Sequence, residues 1–127
     1  MMADARNTYV LREEELGTVR IADELIPVIA AFAATEVDGV ASIGGNISHD
    51  NVRKVSGRTL AQGVRTEVKD GEIRFDLALN LDYDRNIMDV TKEVQERVKS
   101  AVETMTGMKV EEIKIRVAAV DLQNRES

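Results

Sequence analysis

Cysteine is absent from all 127 residues. That removes disulfides, thiolate metal sites and a cysteine nucleophile. Tryptophan is absent as well, and aromatic residues make up 3% of a chain that is 43% hydrophobic. The core must therefore be aliphatic, and few side chains remain to wall a stacking pocket for a base or an aromatic ligand. There is one proline, Pro27, and one histidine, His49. No segment approaches the ~18 consecutive apolar residues that cross a bilayer. The longest apolar-rich stretch, residues 25–34, is interrupted by Pro27 and fits a buried helix. Residues 1–16 are polar and hold no apolar segment of the secretory kind. The expectation is a cytoplasmic protein that meets a membrane, if at all, from its surface or through a partner.

The length suits one domain with one core. A net charge of −6 disfavours non-specific nucleic-acid binding, which depends on neutralising phosphates. Three parts are expected: a flexible arm over 1–16, a single α+β domain over 17–120, and a polar tail over 121–127.

Within the domain, 18–21 reads as a short strand and 22–36 as a helix. Asp23 and Glu24 fall in its first turn, and Ile21, Leu25, Val28, Ile29 and Phe32 recur at helical spacing. Residues 40–43 read as a strand, and 44–62 as a long loop with at most one helical turn. Strands over 64–69 and 72–83 meet at Asp70-Gly71, a strong hairpin signal. Ile73, Phe75, Leu77, Leu79 and Leu81 alternate with Arg74, Asp76, Ala78, Asn80 and Asp82, so the sheet has one apolar and one polar face. A second helix over 86–105 carries the stripe Ile87, Val90, Val94, Val98, Ala101 and Met105. Asn86 caps it, with Asp89 at the third helical position, and Gly107 stops it. A last strand covers 110–120. The expected fold is a two-layer α+β sandwich, two helices on one face of a mainly antiparallel three- to four-stranded sheet.

Five stretches of the sequence imitate functional sites. Asp82, Asp84 and Asn86, with Glu93 at the twelfth position, imitate a calcium loop, but the sixth position should be Gly and is Ile87. The helix cap explains the same residues. Between 46 and 69, Arg53, Lys54, Arg58, Arg65 and Lys69 outnumber Asp50 and Glu67. Arg53, Lys54 and Arg58 form a candidate patch for an anionic partner, although no aromatics interleave to stack bases. Ser48-His49-Asp50 names the residues of a catalytic relay, yet chain neighbours cannot converge as the relay requires. Gly44-Gly45 lacks the Gly-Lys-Ser/Thr ending of a phosphate loop, and Glu111-Glu112 reads as solvated. No catalytic residue, metal or cofactor is assigned.

Two ordered segments carry a resemblance. One runs Gly17-Thr18-Val19-Arg20-Ile21-Ala22-Asp23-Glu24-Leu25-Ile26, then Ile29-Ala30, then Ala34-Thr35-Glu36-Val37-Asp38-Gly39-Val40-Ala41. The other comprises Asn86-Ile87, Val94-Gln95-Glu96-Arg97-Val98, Val102 to Val110, and Ile113-Lys114-Ile115-Arg116-Val117. Together they resemble the alkaline shock protein, or Gls-type, envelope stress response family of Gram-positive bacteria. The resemblance implies a non-enzymatic scaffold for cell-envelope homeostasis that self-associates and sits at the inner membrane surface through an anchor protein. A second branch implies regulation of fatty-acid synthesis through acetyl-CoA carboxylase subunits. An RNA-binding module is a more distant alternative. One departure is Asp84, where relatives often carry Gly.

Overall fold

A computed structural model describes residues 8–55, 57–60 and 62–121. Its elements run β1 (Thr8–Glu14), β2 (Gly17–Ala22), α1 (Leu25–Glu36), β3 (Val40–Ile43), a 3₁₀ turn (His49–Lys54), the short α2 (Gly57–Leu60), β4 (Val64–Lys69), β5 (Glu72–Asp82), α3 (Ile87–Thr106) and β6 (Lys109–Asp121). The fold is α+β. The main sheet has four strands, and β1 and β2 make a separate two-stranded sheet.

β5 is the axis of the main sheet. β6 runs parallel to it from Lys109 to Asp121. The chain makes this crossover through α3, as a parallel pair requires. β4 and β3 both run antiparallel to β5, β4 beside its first half and β3 beside its second. Ala78 receives both strand ends: its N–H donates to the Gly63 carbonyl, and its carbonyl accepts from the Gly44 N–H, each at 2.9 Å. A residue's N–H and C=O point to the same edge of a strand, so β3 and β4 lie end to end along one edge of β5. Their junction is two glycines in contact. A Cβ on Gly63 would stand 2.6 Å from the Gly44 Cα. The β4–β5 turn follows its sequence signal, with Asp70 and Gly71 both at positive φ as a type I′ turn demands.

The apolar face of β5 is buried throughout, from Ile73 to Leu81, under α1 and α3. In each helix the buried face departs from the expected stripe only in part, and Val90, Val94 and Val98 are buried as expected. In α1 the buried side is Ile26, Pro27, Ala30, Ala31, Ala33 and Ala34, while Val28, Ile29 and Phe32 are half-buried and Leu25 is exposed. Alanines let the backbone approach closely, so the small face goes inward and the larger side chains fill the margins. In α3 the buried residues are Val90, Val94, Val98, Val102 and Thr106, whereas Ile87 and Met105 are exposed. Packing selected this i+4 row, leaving the two large end residues outside it. Gly39 (φ 105°) brings the chain under α3, where a Cβ would meet Val90 Cγ2 at 2.8 Å. The Arg85 guanidinium reaches Asp38 at 2.8 Å beside it, and this pair raises the Arg85 pKa.

The ends also depart from expectation. Residues 1–7 and 122–127 lie outside the described residues. Thr8–Glu14, expected within a flexible arm, is a strand paired with β2. Tyr9, Leu11 and Ile21 of this hairpin pack on the core. Burial, and secondarily the charge of Asp23, raise the Tyr9 pKa. Asp23 and Glu24 precede α1 rather than occupying its first turn, and Glu24 makes no side-chain cap. The long loop holds two short helical turns.

Candidate functional site

The His49–Lys54 turn packs against α1 and assembles a cluster around the His49 ring. The His49 ring centroid is 4.3 Å from that of Phe32, and Nδ1 is 3.0 Å from Thr35 Oγ1. The Thr35 hydroxyl has one proton, and its shortest acceptor is the Ala31 carbonyl at 2.7 Å. A hydroxyl proton directed at that carbonyl leaves the oxygen to accept from the Nδ1–H tautomer of His49. With that nitrogen committed to a helix threonine, Ser48 and Asp50 gain no relay. Arg53 lies over Phe32, its guanidinium carbon 5.2 Å from the ring centre, within cation–π range. Lys54 beside it is exposed. The Arg58 side chain lies outside the described residues. Arg65 and Lys69 do not join this patch; they sit on the sheet's open face.

That open face is a charge lattice. Strand register places Arg65, Asp76 and Lys114 in one row, Glu67, Arg74 and Glu112 in the next, and Lys69, Glu72 and Lys109 in the third. Signs alternate along each strand and across each row. Arg116 adds a contact to Asp76 at 3.5 Å, and Arg74 hydrogen-bonds Glu111. The Arg74 bond, followed by the Glu72 carboxyl and the Arg74 charge, holds the Glu111 carboxyl below its ordinary range. The same pair raises the Arg74 pKa. Alternation within each strand was visible in the sequence, but the rows depend on register. Near the far end of β5 this face closes: Asn80 is buried and donates to Ser42 Oγ at 2.8 Å.

The calcium pattern resolves into other roles. Asn86 Oδ1 accepts the Asp89 N–H at 3.0 Å as the cap of α3, Asp84 lies 3.8 Å from Arg85, and Glu93 pairs with Arg97 at 3.4 Å. Asp84 is not among the residues with positive φ, so the turn before Asn86 does not depend on glycine there. Among the described residues, no group of three or more His, Cys, Asp or Glu is placed to hold a metal. No helix among them is long and apolar enough to cross a membrane.

Comparison with known proteins gives a family and several relatives. The model of the Asp23 family (a family name, unrelated to the residue), described as having a cell envelope-related function, matches residues 12–122. The protein YqhY of Bacillus subtilis is 32% identical over 113 residues, which cover 89% of this chain and 84% of that protein. A stress response regulator gls24 homolog of Streptococcus pyogenes is 25% identical over 111 residues, 87% of this chain and 61% of the relative. Among solved structures, the MamM CTD in its copper form is 17% identical with a TM-score of 0.49, covering 78% of this chain and 87% of that one.

Proposed function

The chain belongs to the Asp23 family, whose function is cell envelope-related, and from that membership we propose a non-enzymatic scaffold for envelope homeostasis under stress. It works through protein–protein contacts, with itself and with a membrane anchor protein at the inner membrane surface. The observation that carries this reading is the family match over residues 12–122. The disposition of the candidate residues supports it: His49 is bonded to Thr35, and the calcium-like residues cap or pair with neighbours. Arg53 and Lys54 are the charged surface we assign to an anionic partner, with Arg58 as a third member on the sequence. The alternating signs of the sheet's open face offer no continuous basic track for RNA, which favours a protein partner.

The test is co-purification of the tagged full chain from its native host, with and without envelope stress. Recovery of one integral membrane protein, lost in an Arg53→Glu/Lys54→Glu variant, is the expected result. Recovery of acetyl-CoA carboxylase subunits instead would move the function to control of fatty-acid synthesis. Turnover of a substrate by the purified chain, abolished by a single substitution, would overturn the non-enzymatic reading.

A further inference from the structure

β6 has one edge bonded to β5 and one outer edge. Over its first half the outer edge is guarded from α3. The Glu103 carboxylate accepts the Val110 N–H at 2.9 Å, and the Gln95 amide donates to the Ile113 carbonyl at 3.0 Å. Such guards are how sheets block unwanted pairing. Alternate residues turn their backbone groups to the same edge, so Ile115 and Val117 follow Ile113 in facing outward. No further side chain among the described residues caps the strand there. From 115 to 120 the sequence is Ile-Arg-Val-Ala-Ala-Val, β-prone and carrying one charge. The first turn of α3 lies over this half: Ile87 and Met88, 47% and 75% exposed, line a shallow groove with Ile113, Ile115 and Val117. Val120, 41% exposed, continues the apolar surface.

We propose that this unguarded half-edge pairs antiparallel with the same half-edge of a second copy, about a two-fold axis near Val117. The inference deepens the self-association proposed above by naming its surface. Charge selects the occupant and the register. A seam centred on Ile113 would displace both Gln95 and Glu103. One centred on Ile115 would set Lys114 against Arg116 of the second copy, and like charges directly opposite destabilise a pair. Centred on Val117, the seam sets Arg116 opposite the β6 bulge at Ala118 of the second copy, where no cation stands, and both guards stay in place. A fitting strand must be apolar and carry no cation opposite Lys114 or Arg116, and residues 115–120 of a second copy meet both conditions. The axis also brings the two first turns of α3, with Met88, to the same side of the joined sheet.

Sedimentation equilibrium on the full chain tests this. The wild type should show a monomer–dimer equilibrium. Met88→Asp puts an acid in the first turn of α3, where the helix dipole favours it, so folding is preserved while the seam gains buried charge; dimer dissociation should rise about tenfold or more. At the exposed bulge residue, Ala118→Lys should weaken the dimer and Ala118→Glu should tighten it against Arg116, each by roughly three- to tenfold. Opposite responses at one position cannot come from misfolding. A dimer indifferent to all three variants overturns this seam and leaves the scaffold standing on another surface. A chain that stays monomeric at every concentration overturns the seam and self-association together.

Discussion

The two faces of β5 are held by different physics. Toward the helices, Ile73, Phe75, Leu77, Leu79 and Leu81 are almost wholly buried, and each is fixed by the shape of what it touches. Toward solvent, Glu72, Arg74 and Asp76 sit in a lattice of alternating charge, in which any one member can be lost and its neighbours rehydrate. One face is therefore intolerant of small changes in volume, and the other tolerates most changes of residue. Asn80 and the Gly44–Gly63 junction are exceptions, because there the open face becomes buried as well. Tolerance follows burial, and only secondarily the side of the sheet.

The largest expected effect is on the covered face. Leu79→Ala should lower unfolding free energy by about 2–5 kcal/mol, through lost transfer energy and the cavity left behind, read from urea denaturation midpoints. Gly63→Ala should follow, at about 1–3 kcal/mol, because its Cβ would enter the backbone of Gly44 and neither strand end can retreat without breaking its bond to Ala78. Gly45→Ala is the control. A Cβ there meets nothing within 4 Å, and the change should stay within about 0.5 kcal/mol. Equal costs at the two glycines would remove the end-to-end junction as a constraint.

How much of this was legible beforehand differs by region. The strand alternation of β5, the Asp70-Gly71 turn and the Asn86 and Gly107 boundaries of α3 are local, and the sequence states them. The helix faces are legible in part: Val90, Val94 and Val98 are buried as their spacing predicts, while the large end residues Leu25, Ile87 and Met105 lie outside the packed rows. β1 was missed because Arg12, Glu13 and Glu14 give no alternation, its pairing being supplied by β2. For the candidate sites, the cap at Asn86 is legible and accounts for the Asn86 position of the calcium-like spacing. The Thr35–His49 bond and the rows of the charge lattice join residues far apart in the chain, and no local pattern encodes them.

Asn80 tests the exception on the open face. Its amide donates at 2.8 Å to Ser42 Oγ and at 3.4 Å to the Gly44 carbonyl and to Asn46 Oδ1. Asn80→Ala strands these acceptors in a site it also leaves underfilled, and should cost about 1–2 kcal/mol. Thermal unfolding monitored by circular dichroism measures it. A cost no larger than that of a lattice charge would mean that the outer face is uniformly tolerant and burial there is incidental.

The smallest effect belongs to the lattice itself, and its pH dependence identifies it. Arg74 and Glu111 are both solvent-accessible, so Arg74→Ala should shift the denaturation midpoint only slightly, and less in high salt. Because Arg74 holds the folded Glu111 carboxyl below its ordinary value of 4.5, the unfolded chain binds the proton first as pH falls. The stabilisation is therefore complete above the ordinary glutamate range and is lost as pH drops through the depressed folded value. Wild type and Arg74→Ala should differ most at neutral pH and converge in acid. A gap that persists in acid would mean that Arg74 acts through the packing of its aliphatic stem over the sheet, and the open face would then share the shape dependence of the covered one.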